Sequence, residues 1–332
     1  MSRWIVLKFG GTSVATAARW QTIAEEIRGR ITEGYRPLVV CSAVESISNR
    51  LEEAIARAID GDHETALAAI EERHRRLAAE MGLDADALLG KRFEELRRLA
   101  LGIALIRDAN PRLRARILAE GELLSTALGV AFLQRLGLDA TWCDARELLE
   151  ARPDPDANEG RRYLAASCHA DFDPELRARL EGTAGEALIT QGFIARDPAG
   201  DTVLLGRGGS DTSAALFAAR LRAERLEIWT DGPGMFTANP RQVESARLLR
   251  RLGYEEAQEI ATTGARVLHP RCLEPVRRHG IPLHIRCTAQ PGLEGTVISA
   301  EASDGAAGVK AISARTGLTL VSMETLGMWQ QG

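Results

Sequence analysis

The stretch Ile5-Val6-Leu7-Lys8-Phe9-Gly10-Gly11-Thr12-Ser13 decides the fold, because it runs from a short apolar strand into two glycines and on toward a helix. Glycines let a backbone approach a ligand closely, and free N–H groups ahead of a helix attract an anion. Of the 42 lysines and arginines, only Lys8, Lys91 and Lys310 are lysine. A need for a compact ammonium at a phosphoryl oxygen would explain Lys8. The alternative is a tight turn with a solvated lysine.

Composition excludes several classes of function. The chain has 332 residues, 45% hydrophobic and 27% charged, with a net charge of −4, which is typical of a globular protein with room for two domains. The sequence has no separate run of basic residues, so we do not expect a nucleic-acid partner. No apolar run approaches the ~20 residues of a membrane span, and we therefore expect a cytoplasmic protein. Five scattered cysteines indicate neither disulfides nor a zinc site. A metal, if used, should arrive with a phosphate.

The order of elements predicts a mainly parallel sheet. Apolar residues recur at helical spacing from Trp20 to Ile31, and a second strand follows at residues 37–41. Ligands of such sheets lie at the carboxyl ends of the strands, where residues 8–13 and 42–49 both fall. Further along, Gly121 interrupts an apolar helical pattern between two acidic residues. An exposed kink is one explanation, and a functional acid is the other.

A second glycine turn, Leu204-Leu205-Gly206-Arg207-Gly208-Gly209-Ser210-Asp211-Thr212-Ser213, again leads from a strand into a helix. Arg207 can hold a carboxylate through paired hydrogen bonds, and Asp211 can accept from an ammonium, although a structural salt bridge is the alternative. After the strand at residues 226–231, an irregular loop offers Phe236 to a nucleotide base and Arg241 to phosphates. His74 is predicted to be a packing residue, and His269, before a proline, a helix cap.

These stretches resemble the catalytic domain of aspartate kinases, within the amino-acid kinase family, from Lys8 to about Thr296. The motifs that carry the resemblance occur in the family's order: Lys8-Phe9-Gly10-Gly11-Thr12-Ser13-Val14, Gly121-Glu122, Ile189-Thr190-Gln191-Gly192-Phe193, Leu205-Gly206-Arg207-Gly208-Gly209-Ser210-Asp211, Thr230-Asp231 and Val267-Leu268-His269-Pro270. The chain departs from the usual pattern at three positions, with Ser48 for threonine, Asn239 for aspartate and Arg266 for lysine.

The resemblance implies an αβα sandwich with a mainly parallel central sheet and transfer of a phosphoryl group from Mg-ATP to the side-chain carboxylate of L-aspartate. Lys8 and Asp211 would be catalytic, Arg207 would bind the α-carboxylate, and Glu122 and Asp211 the α-ammonium. The implied ATP and phosphate site comprises Lys8, Gly10, Gly11, Ser13, Thr230, Asp231, Phe236, Arg241 and Arg266. The implied aspartate site comprises Ser42, Ser48, Glu122, Phe193, Arg207, Gly208, Ser210 and Asp211. Magnesium would be bound through the ATP phosphates.

The resemblance also implies a domain arrangement. Residues 1–300 would form the catalytic domain, with an aspartate-binding lobe to about residue 200 and a nucleotide-binding lobe over 201–300. Residues 301–332 would be a linker and the first strands of an ACT regulatory domain, at 308–313 and 318–323, cut before that fold closes. The exposed apolar edge of such strands would favour a homodimer.

Three alternatives compete with this interpretation. Another amino-acid kinase, acting on glutamate or N-acetylglutamate, is the nearest, but an acetylated substrate lacks the ammonium that Glu122 would bind. A nonenzymatic amino-acid sensor on the same fold is opposed by retention of Lys8, Arg207 and Asp211. A nicotinamide-dependent oxidoreductase is opposed by the absence of Gly-x-Gly-x-x-Gly from both glycine turns.

Overall fold

The central strand β1 (Arg3–Phe9) is buried from its second residue to its last, as expected of a strand covered on both faces. The computed structural model describes residues 2–263, 267–301, 309–314, 317, 319 and 322. Nine further strands are β2 (Tyr35–Cys41), β3 (Ala140–Cys143), β4 (Ala187–Gln191), β5 (Ile194–Arg196), β6 (Thr202–Leu204), β7 (Arg225–Thr230), β8 (Arg251–Leu252), β9 (Leu283–Cys287) and β10 (Thr296–Ile298) among the described residues.

Eight of these strands form one sheet in the order β3-β4-β2-β1-β7-β9-β10-β8, while β5 and β6 form a separate hairpin. Strand β1 pairs in parallel with β2 and β7, and within the described sheet β9 and β10 are the antiparallel pair. The carboxyl ends of β2, β1 and β7 therefore meet at one edge of the sheet. This mainly parallel architecture confirms the predicted fold class.

The described helices are α1 (Ala17–Thr32), α2 (Ile47–Asp60), α3 (Glu64–Glu80), α4 (Ala85–Ile106), α5 (Pro111–Arg135), α6 (Ala145–Leu148), α7 (Glu159–Leu164), α8 (Pro174–Gly182), α9 (Gly209–Leu221), α10 (Tyr254–Thr263) and α11 (Leu273–Arg278). Helices α1 and α5 pack together as one layer, and α9 packs on β1 and β7 with α8 and α11 beside it. Helices α2 to α4 extend the layer of α5. The two layers bury both faces of the central strands.

Local signals explain where several helices begin. Helix α1 starts later than the glycine turn suggested, because the hydroxyl of Thr16 accepts the N–H of Arg19 and caps it there. The side chain of Asp84 accepts the N–H of Ala87 and caps α4. The Nδ1 atom of His74 lies 2.8 Å from the Ile70 carbonyl oxygen in the core, and burial lowers the pKa of this ring to about 4. The packing role predicted for His74 is confirmed.

Of the two explanations considered for Gly121, the exposed kink is wrong. Helix α5 continues through this residue, and Gly121 is buried. A Cβ at position 121 would lie only 2.8 Å from that of Ala43. Among the described residues α5 is the helix long and apolar enough to cross a membrane, but 78% of its most apolar window is buried inside the protein. It is the core helix of its layer.

The chain beyond β10 does not form the first of the two strands expected near the C-terminus. Residues 309–314 are irregular, and the Ile312 N–H donates to the Thr237 carbonyl at 2.8 Å. Lys310 pairs with Glu256 on α10 at 2.5 Å. The second expected strand falls largely outside the described residues.

We predict that Gly129→Ala destabilises the protein, because a Cβ at Gly129 on α5 would lie 2.0 Å from the Trp20 ring on α1. Overpacking of this kind costs about 1–3 kcal/mol of unfolding free energy, measurable by urea denaturation. Gly102→Ala is the matched control, since Gly102 is also inside a helix and a Cβ there meets nothing within 4 Å. That variant should gain about 0.5–1 kcal/mol from helix propensity. Equal effects at both positions would contradict the packing.

Candidate active site

Backbone hydrogen bonds to β7 and within the turn hold the turn after β1. The N–H of Gly10 donates to the Trp229 carbonyl at 3.2 Å, and the N–H of Ser13 returns to the Gly10 carbonyl at 2.9 Å. A Cβ on Gly11 would lie 2.9 Å from the carbonyl oxygen of Ala43, in the loop after β2. Glycine at position 11 therefore brings the ends of β1 and β2 together.

The second glycine turn, before α9, depends on left-handed backbone. Gly206 and Gly208 have φ values of 74° and 69°, which glycine adopts without a steric penalty. The ring of His269 fills the space over Gly208, where a Cβ would lie 2.0 Å from Cγ. The side chain of His269 also accepts the N–H of Arg271 and caps the short 3₁₀ helix Pro270–Cys272. Its predicted role as a helix cap is confirmed.

The two glycine turns are joined by an ion pair. Nζ of Lys8 lies 2.6 Å from Oδ1 of Asp211, and the side chains are only 11% and 14% exposed. The other oxygen of Asp211 accepts the backbone N–H of His269 at 3.2 Å. Arg207 is exposed, and no carboxylate of the described residues lies within ion-pairing distance of it. The salt bridge considered for this turn therefore involves Lys8, and Arg207 is left available to a ligand.

Glu122 is the acid that Gly121 brings to the site. Its side chain is buried, and Oε2 has no hydrogen-bond partner within the described structure. Burial raises the pKa of Glu122 to about 8, and this rise is opposed by the backbone N–H of Ala43 and by the charge of Lys8. A buried carboxyl group with an unpaired oxygen suits an incoming cationic group.

These groups surround one cavity of about 700 Å³, which we call the carboxyl-edge cavity. It lies where β1, β2 and the turn before α9 end. The predicted site residues that line it are Lys8, Gly11, Ser42, Ser48, Glu122, Phe193, Arg207, Gly208, Ser210 and Asp211. All the residues of the implied aspartate site are thus brought together, although their roles stay predictions.

The other predicted nucleotide residues do not line this cavity. Thr230 and Asp231 lie at the end of β7, beside β1, where the Thr230 hydroxyl donates to Oδ1 of Asp231 at 3.1 Å. In the loop that follows β7, Phe236 forms an isolated antiparallel β-bridge with Leu248. Arg241 is exposed in the same loop. Gly10 also lies outside the cavity lining. A Cβ placed on Gly10 would lie 3.5 Å from Nζ of Lys8, so the two residues are close neighbours. Arg266 lies outside the described residues.

Two threonines near the site were missed by sequence reasoning. The Ser13 hydroxyl, predicted to face a phosphate, instead lies 2.7 Å from the hydroxyl of Thr288 and 3.3 Å from the Trp229 carbonyl. Thr296 accepts the N–H of Met235 at 2.9 Å and donates to the Leu249 carbonyl at 2.6 Å. It thereby fastens both arms of the loop that carries Phe236. Only a position at a strand end could have indicated either residue.

Comparison with known proteins identifies the family. Residues 3–287 match the model of the amino acid kinase family. Lysine-sensitive aspartokinase 3 of Escherichia coli K12 is 33% identical over 343 residues, which cover 99% of this chain and 71% of that protein. The chloroplastic bifunctional aspartokinase/homoserine dehydrogenase 1 of Arabidopsis thaliana is also 33% identical, but the chain spans only 36% of its length.

A solved structure shares the fold as well. The crystal structure of E. coli aspartokinase III in complex with aspartate and ADP superposes with a TM-score of 0.75 at 33% identity, covering 90% of this chain and 65% of that one. An aspartate kinase from Clostridium acetobutylicum, 23% identical with a TM-score of 0.71, supports the fold alone. This chain belongs to the amino acid kinase family and, within it, to the aspartokinases.

Proposed function

We propose that this chain transfers the γ-phosphoryl group of ATP to the side-chain carboxylate of L-aspartate, giving 4-phospho-L-aspartate and ADP. The observation that carries the proposal is the arrangement of charges around the carboxyl-edge cavity. Arg207 matches the α-carboxylate of aspartate, Glu122 matches its α-ammonium, and Lys8 stands at the glycine turn, where a phosphoryl group would be held. The relative crystallised with aspartate and ADP supports the same pair of ligands.

The reaction needs positioning and charge stabilisation from the protein. An oxygen of the aspartate side chain, already ionised at neutral pH, attacks the γ-phosphorus, and the bond from that phosphorus to the β,γ-bridging oxygen breaks. No proton has to be removed from the nucleophile, so no general base is required. Lys8 and the N–H group of Gly11 would stabilise the charge on the transferring group, and Asp211 holds Lys8 in place.

Magnesium fits this site as a partner of the nucleotide. The described residues contain no group of three or more His, Cys, Asp or Glu side chains that could hold a metal ion. Mg²⁺ commonly binds through substrate phosphates and water with one or two carboxylates, and Asp231, directly after β7, would supply one of them here. The ion would neutralise phosphate charge. The homodimer, the cytoplasmic location, the two lobes and the regulatory domain stay predictions from the sequence.

The direct test is an ADP-release assay with L-aspartate, with L-glutamate and without acceptor. We expect release that saturates with L-aspartate, with little release in the other two cases. Equal release with glutamate would indicate a different acceptor. A rate of ADP release that does not depend on either amino acid would contradict the proposal.

Lys8→Ala should lower kcat by about 10²- to 10³-fold while changing the KM for aspartate much less, because Lys8 is assigned to charge that develops in the transition state. Lys8→Arg should restore little, since a planar guanidinium would not replace the compact ammonium that reaches the phosphoryl group from beside Gly10. Steady-state kinetics measure both. Lys91→Ala is the control, because Lys91 is an exposed lysine on α4. Similar losses in kcat and kcat/KM for Lys91→Ala would argue against a specific role.

Arg207→Ala should weaken L-aspartate binding roughly 10- to 100-fold and leave ATP binding nearly intact, because Arg207 would pair with the α-carboxylate. Isothermal titration of each ligand measures this. Arg76→Ala provides a matched control, since Arg76 is exposed on α3 and lies outside the cavity lining. Equal losses for aspartate and ATP would overturn the assignment of Arg207.

The KM for aspartate should fall as pH rises toward the pKa of Glu122, about 8 in the free protein. Below that pH a proton on Glu122 competes with the ammonium of aspartate, so KM should drop by up to about tenfold per pH unit and level off above it. Initial rates between about pH 6 and pH 8.5 test this linkage. Glu122→Gln should raise KM and remove most of the dependence. A flat profile for the unaltered protein would show that Glu122 does not bind the ammonium.

A further inference from the structure

Backbone strain is concentrated at the carboxyl-edge cavity. Four non-glycine residues of the described structure have positive φ, namely Ser46 at 67°, Arg107 at 52°, Phe193 at 70° and Arg222 at 48°. Arg107 and Arg222 are the C-caps of α4 and α9, where this conformation is common. Ser46 and Phe193 both line the cavity. A bulky residue keeps a positive φ only where its surroundings enforce it.

Phe193 is the centre of a three-residue turn. The N–H of Ile194 donates to the Gly192 carbonyl at 2.8 Å across Phe193, and this hydrogen bond with a positive central φ is the pattern of the rare, strained γ-turn. The Phe193 carbonyl accepts the N–H of Leu205 at 2.8 Å. The strand end therefore reverses sharply beside the start of α9.

The hydroxyl of Ser213 holds this turn. It accepts the Phe193 N–H at 2.9 Å and donates to the Gly209 carbonyl at 2.9 Å, and the side chain is fully buried. Both hydrogen-bonding capacities of the group thus join the strained turn to the first turn of α9. Without this acceptor, the Phe193 N–H would be left without its partner, at a cost that favours relaxation of the turn.

Close packing leaves little freedom for the turn to move. A Cβ on Gly209 would lie 2.5 Å from the Phe193 ring, and a Cβ on Gly192 would lie 2.6 Å from that of Ser210. The Phe193 ring is therefore placed against the helix start that carries Ser210 and Asp211. Its position defines one wall of the carboxyl-edge cavity.

We propose that Ser213 is a positioning residue for the acceptor, because its hydroxyl keeps the strained turn in place and so fixes the Phe193 wall of the cavity. This inference rests on the proposed function. Ser213 takes no part in the chemistry. A fixed wall limits the length of the acceptor and contributes to the choice between aspartate and the one-methylene-longer glutamate.

Ser213→Ala should raise the KM for L-aspartate on the order of tenfold, with the KM for ATP and kcat changed by less than about twofold. The ratio of kcat/KM for aspartate over glutamate should fall. Ser125→Ala is the matched control, because Ser125 is equally buried on α5 and its hydroxyl has no hydrogen-bond partner within the described structure. An unchanged aspartate KM, or an equal rise in both KM values, would overturn the proposal.

Two substitutions of Phe193 test the strain without altering Ser213. Phe193→Gly and Phe193→Ala both remove the ring, but only glycine adopts a positive φ without strain. The glycine variant should therefore have the higher urea midpoint, the reverse of the usual order. A higher midpoint for alanine would show that the turn is not strained and would overturn the proposal even if Ser213→Ala fails to fold.

A double substitution separates positioning from simple packing. In the Phe193→Gly background, where there is neither wall nor strain to hold, Ser213→Ala should change the aspartate KM by less than about twofold. The same tenfold loss in both backgrounds would contradict the mechanism. If the unaltered protein shows no aspartate-dependent turnover, the proposed function fails. If it turns over normally and Ser213→Ala keeps the original KM, only the present inference fails.

Discussion

The ion pair between Lys8 and Asp211 is the interaction on which the site depends. It joins the end of the central strand β1 to the first turn of α9, two elements about 200 residues apart in the chain. Both side chains are nearly buried, so loss of either partner would leave a poorly solvated charge. A phosphoryl group at the turn could bind Lys8 without displacing Asp211, because an ammonium has three donors. The pair therefore keeps Lys8 oriented before any ligand binds.

Close backbone approach is the second constraint. Gly11 and Gly121 let the loop after β2 meet both the first glycine turn and α5, which places Glu122 near Lys8. Gly192 and Gly209 do the same for the end of β4 and the start of α9. Larger side chains at these positions would separate the elements by more than a hydrogen bond can tolerate. The glycines of the motifs thus determine the distances between charged groups, and the charged groups determine the chemistry.

Sequence reasoning predicted the fold class, both glycine turns and the residues that line the carboxyl-edge cavity. The fold class and the turns were predicted from local signals, because glycines lie between a strand and a helix and parallel strands end at one edge. The lining residues Ser42, Ser48 and Phe193 followed from the family resemblance. Sequence reasoning could not decide between the two explanations of Gly121, since the packing partner Ala43 is remote in sequence and no local pattern indicates it. It also failed over residues 309–314, where contacts with Thr237 and Glu256 replace strand pairing.

Some contributors were invisible for a related reason. The hydroxyl groups of Ser213 and Thr296 accept N–H groups of distant segments, and that of Thr288 pairs with the hydroxyl of Ser13. Serine and threonine are frequent in helices and strands, so their presence alone carries little information. The strained φ of Phe193 likewise cannot be read from its side chain. Such roles emerge only when the backbone of one segment is placed against another.

The measurement that tests the account most directly is trapping of the acyl phosphate. A reaction with ATP, Mg²⁺, L-aspartate and hydroxylamine should yield a hydroxamate of aspartate, equimolar with the ADP released, because hydroxylamine attacks the mixed anhydride that the proposed transfer creates. The yield should disappear without L-aspartate and fall sharply for Lys8→Ala. Aspartate-dependent ADP release without any hydroxamate would contradict phosphorylation of the side-chain carboxylate.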